Sequence, residues 1–336
     1  EHPFIAQAGH VFALAGGRLG WIHDFMVESG RGEAIDMAFV KERAEPALRS
    51  VLKGEQENDV FNALVVGAAL PIGNVVWLRA YFRYMRQTGV SYSQQTVVDA
   101  LRAHGAITAA LVDLFRARFT PGVKARDAAI AEARGRIDGG LADVSAIDED
   151  RIISLYRDII SATLRTNAFV NGESGAGPEA LAFKLDSHAV PGLPPPVPYR
   201  EIWVYSPRVE GIHLRGGRIA RGGLRWSDRR DDFRTEVLGL VKAQMVKNAV
   251  IVPTGSKGGF YPKQLPPASN REAWLAEGQE AYRIYIRALL SVTDNIVEGK
   301  DVPPAGIVCH DAPDPYLVVA ADKGTATFSD IANAIS

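Results

Sequence analysis

The chain has 336 residues, with 38 Lys or Arg, 39 Asp or Glu and one cysteine. This length favours two or three domains, and an apolar share of 47% with 23% charged residues excludes disordered, collagen-like and coiled-coil proteins. The net charge of −1 argues against a general nucleic-acid binder. The single Cys309 excludes a disulfide framework and a cysteine-based zinc site, and is typical of a reducing, cytoplasmic compartment. Because the chain has no initiator Met and stops at Ser336 within a helical pattern, we expect it to be a fragment.

The first 190 residues are expected to form an all-α region. Apolar residues recur at three- and four-residue spacing over segments 32–52, 75–88, 94–118, 122–136 and 149–165. The uncharged stretch 60–78 has almost the length of a membrane span, but Pro71 and its Gly and Asn neighbours favour two buried helical pieces. No membrane partner is therefore expected. Arg79, Arg83 and Arg86 are expected to form one solvated helix face.

A proline-rich linker at 190–198 ends this region, since five prolines in nine residues cannot form a regular helix. Strand and helix patterns alternate after it. Strands are predicted over 201–206, 210–215, 251–252, 306–310 and 316–320, and helices over 231–250 and 270–292. This alternation predicts an α/β domain with a mixed sheet. We therefore expect a helical domain over 1–190 and an α/β domain over 191–336.

The α/β part has a basic region within a neutral chain. Residues 207–263 include 12 Lys or Arg and 5 Asp or Glu, which predicts either a site for a small anion or a solvated basic surface. Glycines and cations occur together at 221–226 and again at 253–260. Glycine lets backbone approach a ligand closely, so we expect two glycine turns that line one crevice at neighbouring strand ends.

Lys257 is the candidate general base. Glycines surround Ser256-Lys257, and burial beside other cations favours the neutral amine, the form of lysine that accepts a proton. A Walker A phosphate loop is excluded, because Ile251 and Gly258 occupy the positions that require Gly and Ser or Thr.

Lys247 and Asp322 each have a functional and a structural interpretation. Lys247 lies at the edge of the apolar face of the helix predicted over 231–250, where it points inward or extends to solvent at the helix end. Asp322 follows an apolar strand pattern, so it lies at an active-site edge or caps the next helix. Residues 309–311 are not expected to bind a metal, because adjacent strand residues point to opposite faces.

Taken together, these motifs resemble the substrate domain of the glutamate/leucine/phenylalanine/valine dehydrogenases. The shared pattern is Gly-Gly-Leu-Arg, a helix, a lysine, Gly-x-Lys-Gly-Gly and then Ala-Ala-Asp-x-Gly. The amino-acid sequence resembles the large bacterial NAD-specific glutamate dehydrogenases more closely still. The segments that carry this closer resemblance are VYSPR at 204–208, ARGGLRWSDRR at 220–230, residues 233–252, AADKGTATFSDIA at 320–332 and LRAY at 78–81.

The resemblance implies a role for each candidate. Lys257 looks like the lysine that activates water for attack on the imino carbon, and Asp322 like the aspartate that moves protons to and from the substrate amine. Lys247 looks like the lysine that holds the α-carboxylate. Arg221 stands where small glutamate dehydrogenases have a lysine for the distal carboxylate, so its contact can differ from that of lysine. Gly222, Gly223 and Arg225 complete the implied substrate site.

The implied reaction is NAD-dependent oxidative deamination of L-glutamate to 2-oxoglutarate and ammonium, by a cytoplasmic homo-oligomer. The G-x-G-x-x-G turn of a Rossmann domain does not occur in the sequence, so the cofactor-binding residues are expected outside this chain, and the chain alone is expected to be inactive. Two alternatives stay open. One is a dehydrogenase of another amino acid, and the other is a non-catalytic helical scaffold or oligomerisation module.

Overall fold

The computed structural model describes residues 4–13, 19–27, 37–170, 177–247, 254–320, 322 and 324–335. It begins with an antiparallel hairpin of β1 (Phe4–Ala13) and β2 (Leu19–Val27). The expectation that the N-terminal region is all-α is therefore wrong for these residues. Both segments contain β-branched and aromatic residues, such as Val11 and Ile22, which favour extended backbone.

A helical region follows the hairpin, as predicted. Its helices are α1 (Met37–Leu52), α2 (Leu64–Gly67), α3 (Ile72–Gln87), α4 (Gln94–Ala103), α5 (Gly105–Phe119), α6 (Arg126–Leu141) and α7 (Ile147–Ala162). The predicted helix 94–118 is two helices, because the backbone leaves helical geometry at His104. Pro71 divides the uncharged stretch, as predicted. Within the described ranges, every helix is too short or too polar to cross a membrane.

A six-stranded mixed sheet forms the second part of the molecule. Its strands are β3 (Thr163–Thr166), β4 (Leu181–Leu185), β5 (Arg200–Tyr205), β6 (Val209–Arg215), β7 (Arg221–Trp226) and β8 (Gly255–Pro262), in the order β3-β4-β5-β6-β8-β7. Only β7 and β8 pair in parallel; the other neighbours are antiparallel. The prediction of an α/β domain with a mixed sheet is confirmed.

The remaining elements connect and cover this sheet. They are α8 (Phe233–Lys247), α9 (Arg271–Ser291), the short hairpin of β9 (Asn295–Val297) and β10 (Lys300–Val302), and α10 (Ser329–Ile335). The predicted helices 231–250 and 270–292 are confirmed as α8 and α9 over their described residues. Because α8 joins the parallel strands β7 and β8, these three elements form a crossover unit at one edge of the sheet.

Strands β3 and β4 come from before the proline-rich linker. The helix predicted over 149–165 ends at Ala162, and the chain then enters the sheet at Thr163. The sheet thus combines strands from both sides of residue 190. The division into 1–190 and 191–336 stays a prediction.

Several expected elements of the α/β part take another form. Both predicted glycine turns are strands, β7 and β8. The segments 306–310 and 316–320 are not strands, because they make isolated hydrogen bonds instead of a ladder, such as the bond from Leu224 N to Ala320 O at 2.8 Å. The strand expected at 251–252 lies outside the described residues.

Each face of the sheet packs against a different set of helices. Trp203 of β5 lies on one face, in a core shared with α8 and the helical region. Phe260 of β8 lies on the other, in a core formed with α9 and α10. The sheet is therefore buried on both sides, which explains why its central strands have so few exposed residues.

The arginines of α3 do not form a solvated face. Arg79 is fully buried and its Nε lies 2.9 Å from Asp59 Oδ2. Arg83 Nε donates to Glu210 Oε1 of β6 at 2.9 Å. The expectation for these residues is wrong because helical spacing does not reveal carboxylates that lie far away in the sequence. Here Glu210 joins α3 to the sheet, and Asp59 joins it to the preceding segment of the helical region.

Candidate active site

Lys257 lies on β8, at the centre of the crossover unit. It is 9% exposed, and its register partners are Leu214 on β6 and Gly223 on β7. Gly223 contributes no side chain, so the lysine has space toward the edge of the sheet. A mostly buried ammonium needs a partner of opposite charge.

Asp322 is that partner. Lys257 Nζ donates to Asp322 Oδ2 at 2.6 Å, across 65 residues of sequence. The carboxylate side chain is 26% exposed, so the pair opens to solvent on the aspartate side. The structure thus joins the two residues predicted as catalytic. It does so without the predicted strand before Asp322, since residues 316–320 have irregular backbone.

The glycines of this region are needed for close packing. A Cβ on Gly222 would lie 1.2 Å from the Ser256 carbonyl oxygen, so any side chain there would force β7 away from β8. A Cβ on Gly258 would lie 2.4 Å from Leu224 Cδ2 and 2.6 Å from Tyr285 Oη. These glycines were predicted to form ligand-binding turns. Instead they let the two strands and α9 approach one another around Lys257.

The predicted substrate-binding cations are placed differently from one another. Arg221 is exposed at the start of β7 and pairs in register with Gly255. It has the same strand parity as Gly223, so it shares a face with Lys257, roughly 7 Å along the sheet. Arg225 Nη1 instead donates to Glu236 Oε1 of α8 at 2.9 Å, an ion pair that engages one nitrogen of its guanidinium. The Lys247 side chain lies outside the described residues.

His213 and Ser256 lie behind Lys257 and were not recognised from the sequence. His213 Nε2 donates to the Val318 carbonyl oxygen at 3.0 Å and lies 3.3 Å from Ser256 Oγ. Burial, reinforced by the charge of Arg215, lowers the pKa of His213 to about 4. The ring is therefore neutral near pH 7 and connects β6 with the segment that leads to Asp322.

Protonation of His213 is expected to destabilise the fold. The pKa of His213 is lower in the folded state than the ordinary histidine value of 6.5, so full stability is present above pH 6.5 and is lost as the pH falls toward 4. The expected loss is about 2–3 kcal/mol between pH 7 and pH 4.5. Urea unfolding at several pH values measures it. His213→Gln is expected to flatten this slope, whereas His188→Gln, at an exposed histidine, is the matched control and should keep it. Equal slopes in wild type and His213→Gln would contradict the assignment.

A buried ion cluster holds the loop that leads to Asp322. Arg165 of β3 bonds to Asp294 and Asp311, with Nη1–Oδ1 and Nε–Oδ1 distances of 2.5 Å. Lys184 Nζ of β4 lies 2.7 Å from Asp311 Oδ2 and 2.9 Å from Asp314 Oδ2. Burial raises the pKa of Asp314, but hydrogen bonds and charge from Arg215 and Lys184 outweigh it and lower the pKa to about 2. Asp311 is thus engaged by cations, and across the described ranges His, Cys, Asp and Glu form no group of three that could hold a metal ion.

The connection from β7 to α8 does not fit a dinucleotide. Pyrophosphate is normally held by a glycine-rich turn between a strand and a helix. The connection from β7 to α8 is Ser-Asp-Arg-Arg-Asp-Asp, which contains no glycine and three carboxylates. No residue of the described part is therefore assigned to a dinucleotide.

Comparison with known proteins shows the family to which the chain belongs. The family described as bacterial NAD-glutamate dehydrogenase, catalytic domain, matches residues 136–336, and glutamate dehydrogenase, helical motif 3, matches residues 56–121. Two similar proteins are each named NAD-specific glutamate dehydrogenase. The one from Halomonas elongata is 52% identical over the whole chain, and the one from Pseudomonas aeruginosa is 51% identical over 95% of it. A third of the same name, from Mycobacterium tuberculosis, is 47% identical over 94% of the chain.

The chain belongs to the bacterial NAD-glutamate dehydrogenase family, since its catalytic-domain match covers more than half of the residues. The resemblance inferred from the sequence motifs is thereby confirmed. The chain spans about 20% of the length of these relatives.

Proposed function

We propose that this chain supplies the substrate side of a glutamate dehydrogenase active site. The reaction is oxidative deamination: L-glutamate, NAD⁺ and water give 2-oxoglutarate, ammonium, NADH and a proton. The observation that carries the proposal is the 2.6 Å contact between Lys257 Nζ and Asp322 Oδ2 in a partly open position. The names of the relatives support glutamate and NAD.

Lys257 and Asp322 divide the proton transfers between them. Lys257 Nζ accepts a proton from the water that attacks the imino carbon, and returns it when that water is expelled in the reverse direction. The Asp322 carboxylate moves protons to and from the substrate amine. No described residue is assigned to NAD, and we assign no step to it.

The substrate's two carboxylates require cations outside this pair. Lys247 at the end of α8 is proposed for the α-carboxylate, and Arg221 for the distal one. Arg221 fits because it is exposed and shares a face with Lys257. Gly222 and Gly223 contribute by leaving space, whereas Arg225 acts through its ion pair with Glu236, which ties β7 to α8.

Replacing Arg221 tests the substrate assignment. In a full-length enzyme that contains this chain, Arg221→Ala is expected to raise the KM for glutamate by about 10- to 100-fold, the usual effect of losing a hydrogen bond to a charged group. Activity with leucine, whose side chain is apolar, should rise relative to glutamate. Arg218→Ala removes a nearby exposed arginine outside β7 and is the matched control. An unchanged glutamate KM in Arg221→Ala would favour a dehydrogenase of another amino acid.

Calorimetry tests the chain by itself. We expect binding heat on titration with 2-oxoglutarate, reduced in Arg221→Ala. A folded chain that gives no heat would favour the scaffold alternative.

We further propose a cytoplasmic homo-oligomer, supported by the family and by the single cysteine. Light scattering of the full-length enzyme measures the mass of the oligomer.

A further inference from the structure

Asp322 has no regular element to hold it in place. It lies between the irregular segment 316–320 and a short 3₁₀ turn at Ala326–Phe328. Its carboxylate is partly exposed, yet Thr325, three residues later, is fully buried. A buried hydroxyl must satisfy its hydrogen bonds within the protein.

The Thr325 hydroxyl does so by joining two backbones. Oγ1 accepts a hydrogen bond from Asp322 N at 2.9 Å and donates to the Leu224 carbonyl oxygen of β7 at 2.8 Å. The Asp322 carbonyl oxygen lies 3.1 Å from Thr325 Oγ1 and is a second acceptor for the hydroxyl. The turn closes with Thr325 N donating to Asp322 O at 3.0 Å. One hydroxyl thus links the backbone of the aspartate directly to the edge strand.

This link attaches the backbone of Asp322 to β7, the strand that pairs with β8 next to Lys257. Leu224 follows Gly223, the register partner of Lys257 in the parallel pair. Leu224 N also donates to Ala320 O at 2.8 Å, so the segment is fastened to β7 on both sides of Asp322. Beyond the turn, Phe328 N donates to Thr325 O at 2.8 Å, and the Phe328 ring is buried in the α9 core.

We propose that Thr325 is a positioning residue that holds the Asp322 carboxylate at contact distance from Lys257 Nζ. The proposal rests on the function proposed above, in which these two groups transfer the protons. Thr325 acts through the backbone of Asp322, since its hydroxyl bonds to backbone groups of Asp322 and Leu224. A displacement of this backbone by about 1 Å is enough to impair catalysis strongly.

Two substitutions separate the hydroxyl from the shape of the side chain. Thr325→Val keeps the branched shape and removes the hydroxyl, whereas Thr325→Ser keeps the hydroxyl. In a full-length enzyme that contains this chain, Thr325→Val is expected to lower kcat for glutamate about 10- to 100-fold, with the KM changed less than about threefold. The pH profile of kcat should shift by at least about 0.5 pH unit, because the separation of the carboxylate and the ammonium changes. Thr325→Ser should stay within about threefold of wild type in kcat.

Controls distinguish positioning from loss of fold. Thr327→Val, at an exposed threonine in the same turn, should behave as wild type. If Thr325→Val does not fold, Thr325→Cys, whose thiol is a weak donor and acceptor, is measured with the same expected result. A wild-type kcat and pH profile in the variant without the hydroxyl, or equal impairment in Thr325→Ser, would overturn the proposal. Lys257→Met and Asp322→Asn, measured in the same assay, separate the two proposals. If these two variants retain activity, the proposed function fails. If they lose activity while Thr325→Val keeps it, only the positioning role of Thr325 fails.

Discussion

Lys257→Met in a full-length enzyme that contains this chain is expected to lower glutamate-dependent NADH formation by about 10³-fold. Methionine keeps an unbranched apolar side chain in the space between β6 and β7 but has no group that accepts or donates a proton. The expected loss lies within the range that a positioned general acid or base contributes. The assay follows NADH absorbance at saturating glutamate and NAD⁺, beside a thermal melt that reports the fold.

Asp322→Asn provides the matched test from the other side of the contact. Asparagine has the same shape and cannot hold the proton, so we expect a comparable loss. The double variant should be little worse than either single variant, because the two groups act as one unit. Lys242→Met, at an exposed lysine on α8, is the control and should remain near wild type. Activity of Lys257→Met within tenfold of wild type would remove the lysine from the proton transfers.

Arg234→Met is expected to produce the largest loss of stability. Arg234 and Glu201 both have fully buried side chains. The guanidinium donates from Nε and Nη2 to the two Glu201 oxygens at 2.9 and 2.5 Å, and Tyr84 Oη donates to Glu201 Oε2 at 3.1 Å. Removing the arginine leaves a buried carboxylate without its countercharge, which typically lowers the free energy of unfolding by about 3–5 kcal/mol. Chemical unfolding of this chain, followed by circular dichroism, measures the change.

The double variant Arg234→Met/Glu201→Gln isolates the unpaired charge as the cause. Glutamine is neutral and still offers an oxygen to Tyr84, so we expect it to recover at least about half of the loss. Arg136→Met breaks an exposed pair with Asp113 and should change the stability by less than about 1 kcal/mol. If the double variant is as unstable as Arg234→Met, the loss arises from packing around the arginine. Arg234 lies in the first turn of α8, so the pair also fixes the helix that joins β7 to β8.

Local patterns predicted most of the helices and the strands β5 and β6 well, but not the hairpin of β1 and β2 or the strands β3 and β4. The helical spacing of α3 and α9 and the apolar strands β5 and β6 lie within a few residues of their predicted positions, because each has a continuous periodic pattern. The glycine-rich strands β7 and β8 were predicted as turns, since glycine disfavours strands on its own. Their strand conformation depends on pairing with each other and on α9, whose Tyr285 occupies the space of a Cβ on Gly258.

The residues of the candidate site were also predicted only in part from the sequence. Lys257 and Asp322 were named from their motifs, and the structure places them in contact. Thr325 lies within the motif at 320–332, but nothing in the sequence distinguishes it, because its hydrogen bond is to Leu224, 101 residues earlier. Arg225 was assigned to substrate, whereas the structure pairs it with Glu236, and neither residue type nor spacing indicates that choice.

By itself, the sequence determined the family and the helical and α/β composition, and it named Lys257 and Asp322, which the structure places in contact, because these depend on local periodicity and on short motifs. Only the tertiary structure decided which cations are available. Arg79 is buried and Arg83 half-buried against carboxylates, and Arg225 is paired with Glu236, while Arg221 stays exposed on the same sheet face as Lys257. The physical reason is that an ion pair is chosen by proximity in the fold. A charged side chain is available to bind a ligand only where folding leaves it without an ion-pair partner of its own.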